Sequence, residues 1–226
     1  SPGGTANLYG CTYRGSTETG GALFVLVGNA GRLDHSADGA TWTTVTGFGS
    51  IGLYLAYYHD DYFYVGGNSG RMWYSANGTE SYTVCDTAGT QRNTDMTWSG
   101  TNLVVCRRSG KIAHATPANA RGGTWTAATS GVGGHLYAIV SDGAGVVVAV
   151  GASGAIIRSA DHGATWATKT SGTSEHLQGI TYTGSVYIAV GDSGVCLSSP
   201  AGTTWTARTS GAPDDLNWVE SSGGFP

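Results

Sequence analysis

Hydrophobic and polar residues alternate along this chain in short runs, and the runs come in groups of four. The group is cleanest near the C-terminal end. Leu177 to Tyr182 alternates and ends at the turn Thr183-Gly184. Val186 to Val190 follows and leads into the Gly-rich turn Gly191-Asp192-Ser193-Gly194. Val195 to Ser199, the loop Pro200 to Gly202, Thr204 to Arg208 and the linker Thr209-Ser210-Gly211 complete the unit. Runs of four to six residues with period 2, bounded by Gly, Ser and Asp, are antiparallel strands joined by tight turns. The same register fits elsewhere. Its middle turn recurs as Gly28-Asn29-Ala30-Gly31, Gly67-Asn68-Ser69-Gly70, Arg107-Arg108-Ser109-Gly110 and Gly151-Ala152-Ser153-Gly154.

Each unit closes on an aromatic. Trp42, Tyr82, Trp125, Trp166 and Trp205 stand 40, 43, 41 and 39 residues apart. Four strands in a unit of about 40 residues, repeated at a fixed period, predict an all-β fold, a β-propeller of five four-stranded blades. The blades are expected at about 5–47, 50–88, 91–130, 133–171 and 174–211. Leu216 to Gly223 aligns with Leu177 to Gly184, so 214–224 reads as an extra strand resembling the start of a sixth repeat.

Composition supports this and narrows the partners. Of the 226 residues, 38 are Gly and only 12% are charged, which favours many short strands and turns over helices. A hydrophobic content of 40% argues against disorder. The net charge of −4 gives no general attraction to nucleic acid or to an anionic membrane. The longest apolar runs, such as Val146 to Val150, are too short to span a bilayer, so no membrane insertion is expected. Cys11, Cys85, Cys106 and Cys196 show no C-x-x-C spacing; Cys11, Cys106 and Cys196 align with apolar strand positions, and the thiols are expected to be buried and free. The six His residues show no ligand spacing, and no metal or cofactor is expected.

The turn before the closing aromatic carries a motif. Ser159-Ala160-Asp161-His162-Gly163-Ala164-Thr165-Trp166 reads S-x-D-x-G-x-T-W, and Ser36-Ala37-Asp38-Gly39-Ala40-Thr41-Trp42 is one residue shorter. Ser75-Ala76-Asn77-Gly78, Gly122-Gly123-Thr124-Trp125 and the segment ending at Trp205 are partial copies. Ser and Asp side chains can accept from unpaired backbone N–H groups of a short hairpin, Gly supplies a positive φ, and the indole packs between sheets. Ser36, Asp38, Trp42, Ser159, Asp161, Gly163, Trp166 and Trp205 are therefore assigned structural roles. The motif resembles the Asp-box (BNR) repeat of sialidase-like β-propellers. The neighbouring Val148 to Gly154 and Ala189 to Gly194 segments resemble the propeller family that includes the photosystem II assembly factor. The resemblance implies a propeller with Asp-box turns between the third and fourth strands of each blade. It implies no single function.

Candidate chemistry lies on the opposite side, with the middle turns. Arg32, Arg71 and Lys111 are equivalent residues just after those turns, with Asn29, Asn68, Arg107 and Arg108 beside them. Arginines there offer planar donor forks for a carboxylate, and the Asn amides suit hydroxyls. His176 and Asp192 complete the expected ligand-binding set, on a mildly acidic flank with Glu175, Asp214 and Asp215. His135 and His176 each precede a first strand and are expected to cap that linker. Sialidase chemistry, as the resemblance would imply it, needs an arginine triad, a Tyr paired with an acid, and an Arg-Ile-Pro segment. The last is missing, and no Tyr-Glu pair at a recognisable spacing is present. No catalytic residues are assigned.

The expected function is therefore recognition without catalysis. The leading expectation is binding of carbohydrate or a surface receptor within an extracellular or virion, tail-fibre-like assembly such as an adhesin, with a glycan or protein receptor as partner. The alternative is a protein-binding scaffold or assembly factor, and the third is a glycosidase.

Overall fold

A computed structural model of the 226-residue chain describes residues 7–87 and 89–221. It contains five antiparallel sheets of four strands, each ordered along the chain. Sheet 1 comprises β1 (Leu8–Arg14), β2 (Leu23–Gly28), β3 (Leu33–Ser36) and β4 (Thr43–Val45). Sheet 2 comprises β5 (Leu53–His59), β6 (Tyr62–Gly67), β7 (Met72–Ser75) and β8 (Thr83–Val84). Sheet 3 has β9 (Asn93–Trp98), β10 (Leu103–Arg107), β11 (Lys111–Ala115) and, after the short helix α1 (Pro117–Arg121), β12 (Thr126–Thr129). Sheet 4 has β13 (Leu136–Ser141), β14 (Val147–Gly151), β15 (Ile156–Ser159) and β16 (Ala167–Lys169). Sheet 5 has β17 (Leu177–Tyr182), β18 (Tyr187–Gly191), β19 (Cys196–Ser199) and β20 (Thr206–Arg208). Residues 5–6 of the expected first blade, the expected blade end at 88 and residues 222–224 of the expected extra strand lie outside the described residues. No described helix is long and apolar enough to cross a membrane.

Two compact units emerge, residues 7–94 with 117–125 and residues 95–116 with 126–221. In the first, Val25, Val27 and Leu33 of sheet 1 pack with Leu53, Phe63, Val65 and Trp73 of sheet 2, and Phe48 lies edge-on to Trp73 and Tyr82. The second has two clusters, and β14 feeds both. Val147 and Ala149 join Val104, Cys106, Ile112, Leu136, Ile139 and Ile157, while Val148 and Val150 join Leu177, Ile180, Tyr187, Leu197 and Trp205. A strand whose alternate residues enter two cores is buried on both faces, which is why Val147 to Val150 is an unbroken apolar run.

The Ser-x-Asp turns fall between third and fourth strands. In sheet 4, Ser159 Oγ donates to Asp161 Oδ1 (2.7 Å) and accepts from the Gly163 N–H (2.9 Å), while Asp161 Oδ1 accepts from the Thr165 N–H (2.8 Å). Asp38 does the same for Ala40 and Thr41 (2.9 and 2.8 Å). Converging donors favour the ionised form, and both carboxyls are held down at about 2. In three sheets the aromatic reaches back to its own turn: Trp42 Nε1 and Trp166 Nε1 donate to the Gly39 and Gly163 carbonyls, and Tyr82 OH to that of Gly78. Trp125 differs, since α1 replaces the acid-bearing turn, and its Nε1 donates to the Cys85 carbonyl (3.2 Å).

The sequence expectation of buried cysteines needs one correction. Cys85 and Cys106 are buried and Cys196 is half-buried, but Cys11 is exposed because it lies on an uncovered face of β1 beside exposed Tyr9 and Tyr13. The extra C-terminal segment runs along β17. The Leu216 N–H donates to Gly191 O (3.0 Å), Ser221 Oγ donates to Tyr182 O (3.2 Å), and a Cβ on Gly179 would stand 3.2 Å from Val219 N.

Candidate binding face

All five middle turns share one backbone. Ala30, Ser69, Ser109, Ser153 and Ser193 adopt left-handed φ values between 50° and 57°, each followed by a Gly. At Gly154 the φ of 69° is joined by crowding, since a Cβ there would strike the Thr173 carbonyl. The left-handed serine leaves its own N–H without a strand partner, and a side chain from the next linker supplies the acceptor. His135 Nδ1 accepts from the Ser109 N–H (3.1 Å), His176 Nδ1 from Ser153 (3.0 Å) and Asp215 Oδ1 from Ser193 (2.9 Å). An imidazole accepts at Nδ1 only when that nitrogen is unprotonated, so the geometry fixes the ring's tautomer. These His residues thus tie a linker to the turn of the preceding sheet.

The expected ligand residues occupy these turns with unequal freedom. Arg32 forms an ion pair with Asp34 (2.7 Å), a buried acid that also accepts from Thr44 Oγ1. Arg71 pairs with Asp86 (3.0 Å) and lies 5.4 Å over the Trp73 ring. Both guanidinium charges are therefore already compensated within their own sheets. Arg107 is 1% exposed, stands where the other four sheets have Gly28, Gly67, Gly151 and Gly191, and donates to the Ile112 carbonyl. Asn68 and Lys111 are exposed, and Asn29 and Arg108 are half-buried. Half-buried Asp192 accepts from Gln178 Nε2 (2.7 Å), beside exposed His176.

A second set of residues on this side lies outside the turns. In sheets 1, 2, 4 and 5 the first strand slips by one residue just after its opening Leu, leaving Tyr9, Tyr54, Tyr137 and Gln178 as unpaired bulge residues. A bulge re-aims a side chain out of the strand alternation. In the first unit Tyr9 stacks on Tyr54 at 4.8 Å, and the Arg92 guanidinium lies 3.9 Å over the Tyr54 ring. Arg92 makes no ion pair with a described residue, and its buried Nε has no hydrogen-bond partner. In the second unit Tyr137 meets His135 and His176 edge-on at 6.3 and 6.0 Å. The signal was present in sequence as the recurring Leu-Tyr pairs 8–9, 53–54 and 136–137. A plain period-2 reading hides it. Among the described residues no three His, Cys, Asp or Glu side chains gather as a metal-binding group.

No protein-family model and no curated protein matches the sequence. Solved structures do match. A structure of YCF48 bound to D1 peptide aligns with a TM-score of 0.60 at 16% identity, over 83% of this chain and 62% of that one. Two crystal structures of Sqt1 from Chaetomium thermophilum align with TM-scores of 0.66 and 0.69, each at 16% identity. They cover 87% and 88% of this chain and 59% and 58% of theirs. The fold is a β-propeller. The chain spans about 60% of the length of the structures it matches.

Proposed function

We propose that this chain is a non-catalytic, protein-binding propeller scaffold, docking a partner on the side of the middle turns and first-strand bulges. The observation that carries this reading is the Tyr9–Tyr54–Arg92 stack. A planar cation without a carboxylate partner, held on an aromatic ladder whose outer ring is 48% exposed, combines the residue types that dominate protein-binding hot spots. Arg32 and Arg71 contribute less to an anion clamp because Asp34 and Asp86 already neutralise them. The YCF48 structure, which has a D1 peptide bound, lends the reading support from a shared fold. The Ser-x-Asp turns, with their repeated carboxylate acceptors, fit the Asp-box description and serve as packing devices. We also take the five sheets as five blades, with the described segment after β20 resembling the start of a sixth repeat.

Parallel screening on a peptide array and a glycan array tests the assignment. Binding to peptides that Arg92→Glu with Tyr54→Ala abolishes, without moving the melting temperature, is the expected outcome. Binding confined to the glycan array would replace the scaffold reading with the carbohydrate one. Peptide binding indifferent to the double variant would move the site off this stack.

A further inference from the structure

The third-to-fourth-strand turn of sheet 2 holds Asn77 where sheets 1 and 4 hold Asp38 and Asp161, and it is followed directly by Gly78. An asparagine before glycine is chemically exposed, because no side chain shields the next backbone nitrogen from the amide carbon. The fold insists on that glycine. Gly78 has a φ of +72°, and a Cβ there would stand 2.7 Å from Phe63 Cδ2 and 2.8 Å from Leu23 Cδ2.

The turn also supplies what the reaction needs. The Gly78 N–H donates to Ser75 Oγ (3.1 Å), and Ser75 Oγ donates to Asn77 Oδ1 (2.9 Å). The hydroxyl proton is shared, since the Glu80 carbonyl lies 2.8 Å away and can take it instead. In the first arrangement a proton leaving Gly78 N passes through Ser75 to the oxygen on which charge develops. The Thr79 and Glu80 N–H groups donate to the same Oδ1 at 3.1 and 3.2 Å. Donors already aimed at a developing oxyanion stabilise it without reorganisation. The equivalent donors in sheets 1 and 4 hold Asp38 and Asp161 ionised down to about pH 2. Asn77 is exposed, so water can reach it and ammonia can leave.

We propose that Asn77 is a self-modifying residue: the Gly78 main-chain nitrogen displaces ammonia from its side chain, and water opens the product to leave an acid at this turn. The Gly78 N–Cγ bond forms first, giving a tetrahedral centre with the charge on Oδ1, and the Cγ–Nδ2 bond then breaks. The Gly78 proton travels by way of Ser75 to Oδ1, passes on to Nδ2 as the Cγ carbonyl re-forms, and the amide nitrogen departs as ammonia. Water then cleaves one of the two C–N bonds of the succinimide. Opening at Cγ gives an ordinary aspartate, and opening at the main-chain carbonyl gives its isoaspartyl isomer. The aspartate accepts the same N–H donors and restores the acid found in sheets 1 and 4.

The test follows the intact chain through prolonged incubation in warm neutral buffer, with peptide mapping by mass spectrometry at residue 77. Wild type should gain the amide-to-acid mass there, and hydroxylamine should cut the chain between residues 77 and 78 by trapping the succinimide. Ser75→Ala should slow conversion roughly tenfold or more, the contribution of a positioned proton relay. Ser75→Thr keeps the hydroxyl and should convert at the wild-type rate, which separates the relay from simple loss of the turn. No mass gain at residue 77, or equal rates in wild type and Ser75→Ala, overturns the proposal. So does a Ser75→Thr rate that falls to the Ser75→Ala level.

Discussion

Sheets 3 and 4 follow each other in the chain and are built to the same plan, yet one is regular and the other breaks the plan in three places. Sheet 4 has Gly151 before its middle turn, Ala138 at the first-strand position facing the next sheet, and the full Ser159-x-Asp161 turn. Sheet 3 has Arg107, Asp95 and the helix α1 instead. What both keep is the closing aromatic, and the acid is dispensable. Where α1 stands in place of the acid-bearing turn, Trp125 bonds to the Cys85 carbonyl although Gly122 is present three residues before it, and it is 6% exposed, more deeply buried than half-exposed Trp166. The repeat is therefore a rule about where an indole must be covered, and the hydrogen bonds around it adapt.

The largest expected effect breaks this comparison if the indole is not the common element. Trp125→Ala should cost about 3–5 kcal/mol in urea denaturation, as a deeply buried aromatic removed with its hydrogen bond. Trp166→Ala should cost about 2 kcal/mol, less because the ring is half-buried. A Trp125→Ala loss below that of Trp166→Ala would show that α1 carries the packing and the indole merely accompanies it.

The regular sheet was legible in the sequence and the irregular one only in part. Strand alternation, left-handed turns and the period of about 40 are local features, so Val147 to Val150 and the Gly151 to Gly154 turn could be read from the residues. Asp95 could not, because one acid among the polar residues of β9 gives no hint of which neighbour lies across from it. Arg92 and the Tyr9 and Tyr54 bulges were missed for a related reason. A one-residue slip reverses the face to which a side chain points, and alternation alone cannot locate the slip. Arg32 and Arg71 drew attention by their equivalence, which says nothing of their partners: Asp34 follows Arg32 by two residues and was legible, whereas Asp86 lies beyond β8 and only the folded sheet brings it to Arg71.

Asp95 sharpens the comparison next. Its Oδ2 accepts from the Ile139 N–H (2.9 Å), so sheet 3 places a carboxyl against β13 at a position where sheet 2 has Leu55 and sheet 4 has Ala138. Burial raises this carboxyl from 3.8 to about 7, outweighing the Ile139 and Met96 N–H donors that favour its charge. A folded value above the unfolded one stabilises the protein while the group is protonated. That contribution is complete below about pH 4 and is lost as pH rises through about 7. The melting temperature of wild type should therefore fall between mildly acidic and mildly alkaline buffer. Asp95→Asn keeps an acceptor and cannot ionise, so its curve should be flatter and the variant more stable on the alkaline side by about 2 kcal/mol. Parallel curves for the two proteins would mean that Asp95 is ionised throughout.

The smallest effect concerns the feature that sheets 3 and 4 share, a histidine from the next linker accepting from the left-handed serine of the turn. His135 does this for Ser109 and His176 for Ser153, whereas after sheet 5 the same service comes from Asp215. If the requirement is only an acceptor for an otherwise unpaired N–H, the imidazole has no special standing. His176→Ala should then cost about 0.5–1 kcal/mol, the worth of one hydrogen bond at an exposed turn, while His176→Asp should be nearly neutral. Chemical denaturation of the three proteins gives the answer. Equal losses in the Ala and Asp variants would show that the ring itself matters, and its edge-on contact with Tyr137 at 6.0 Å is where that value would lie.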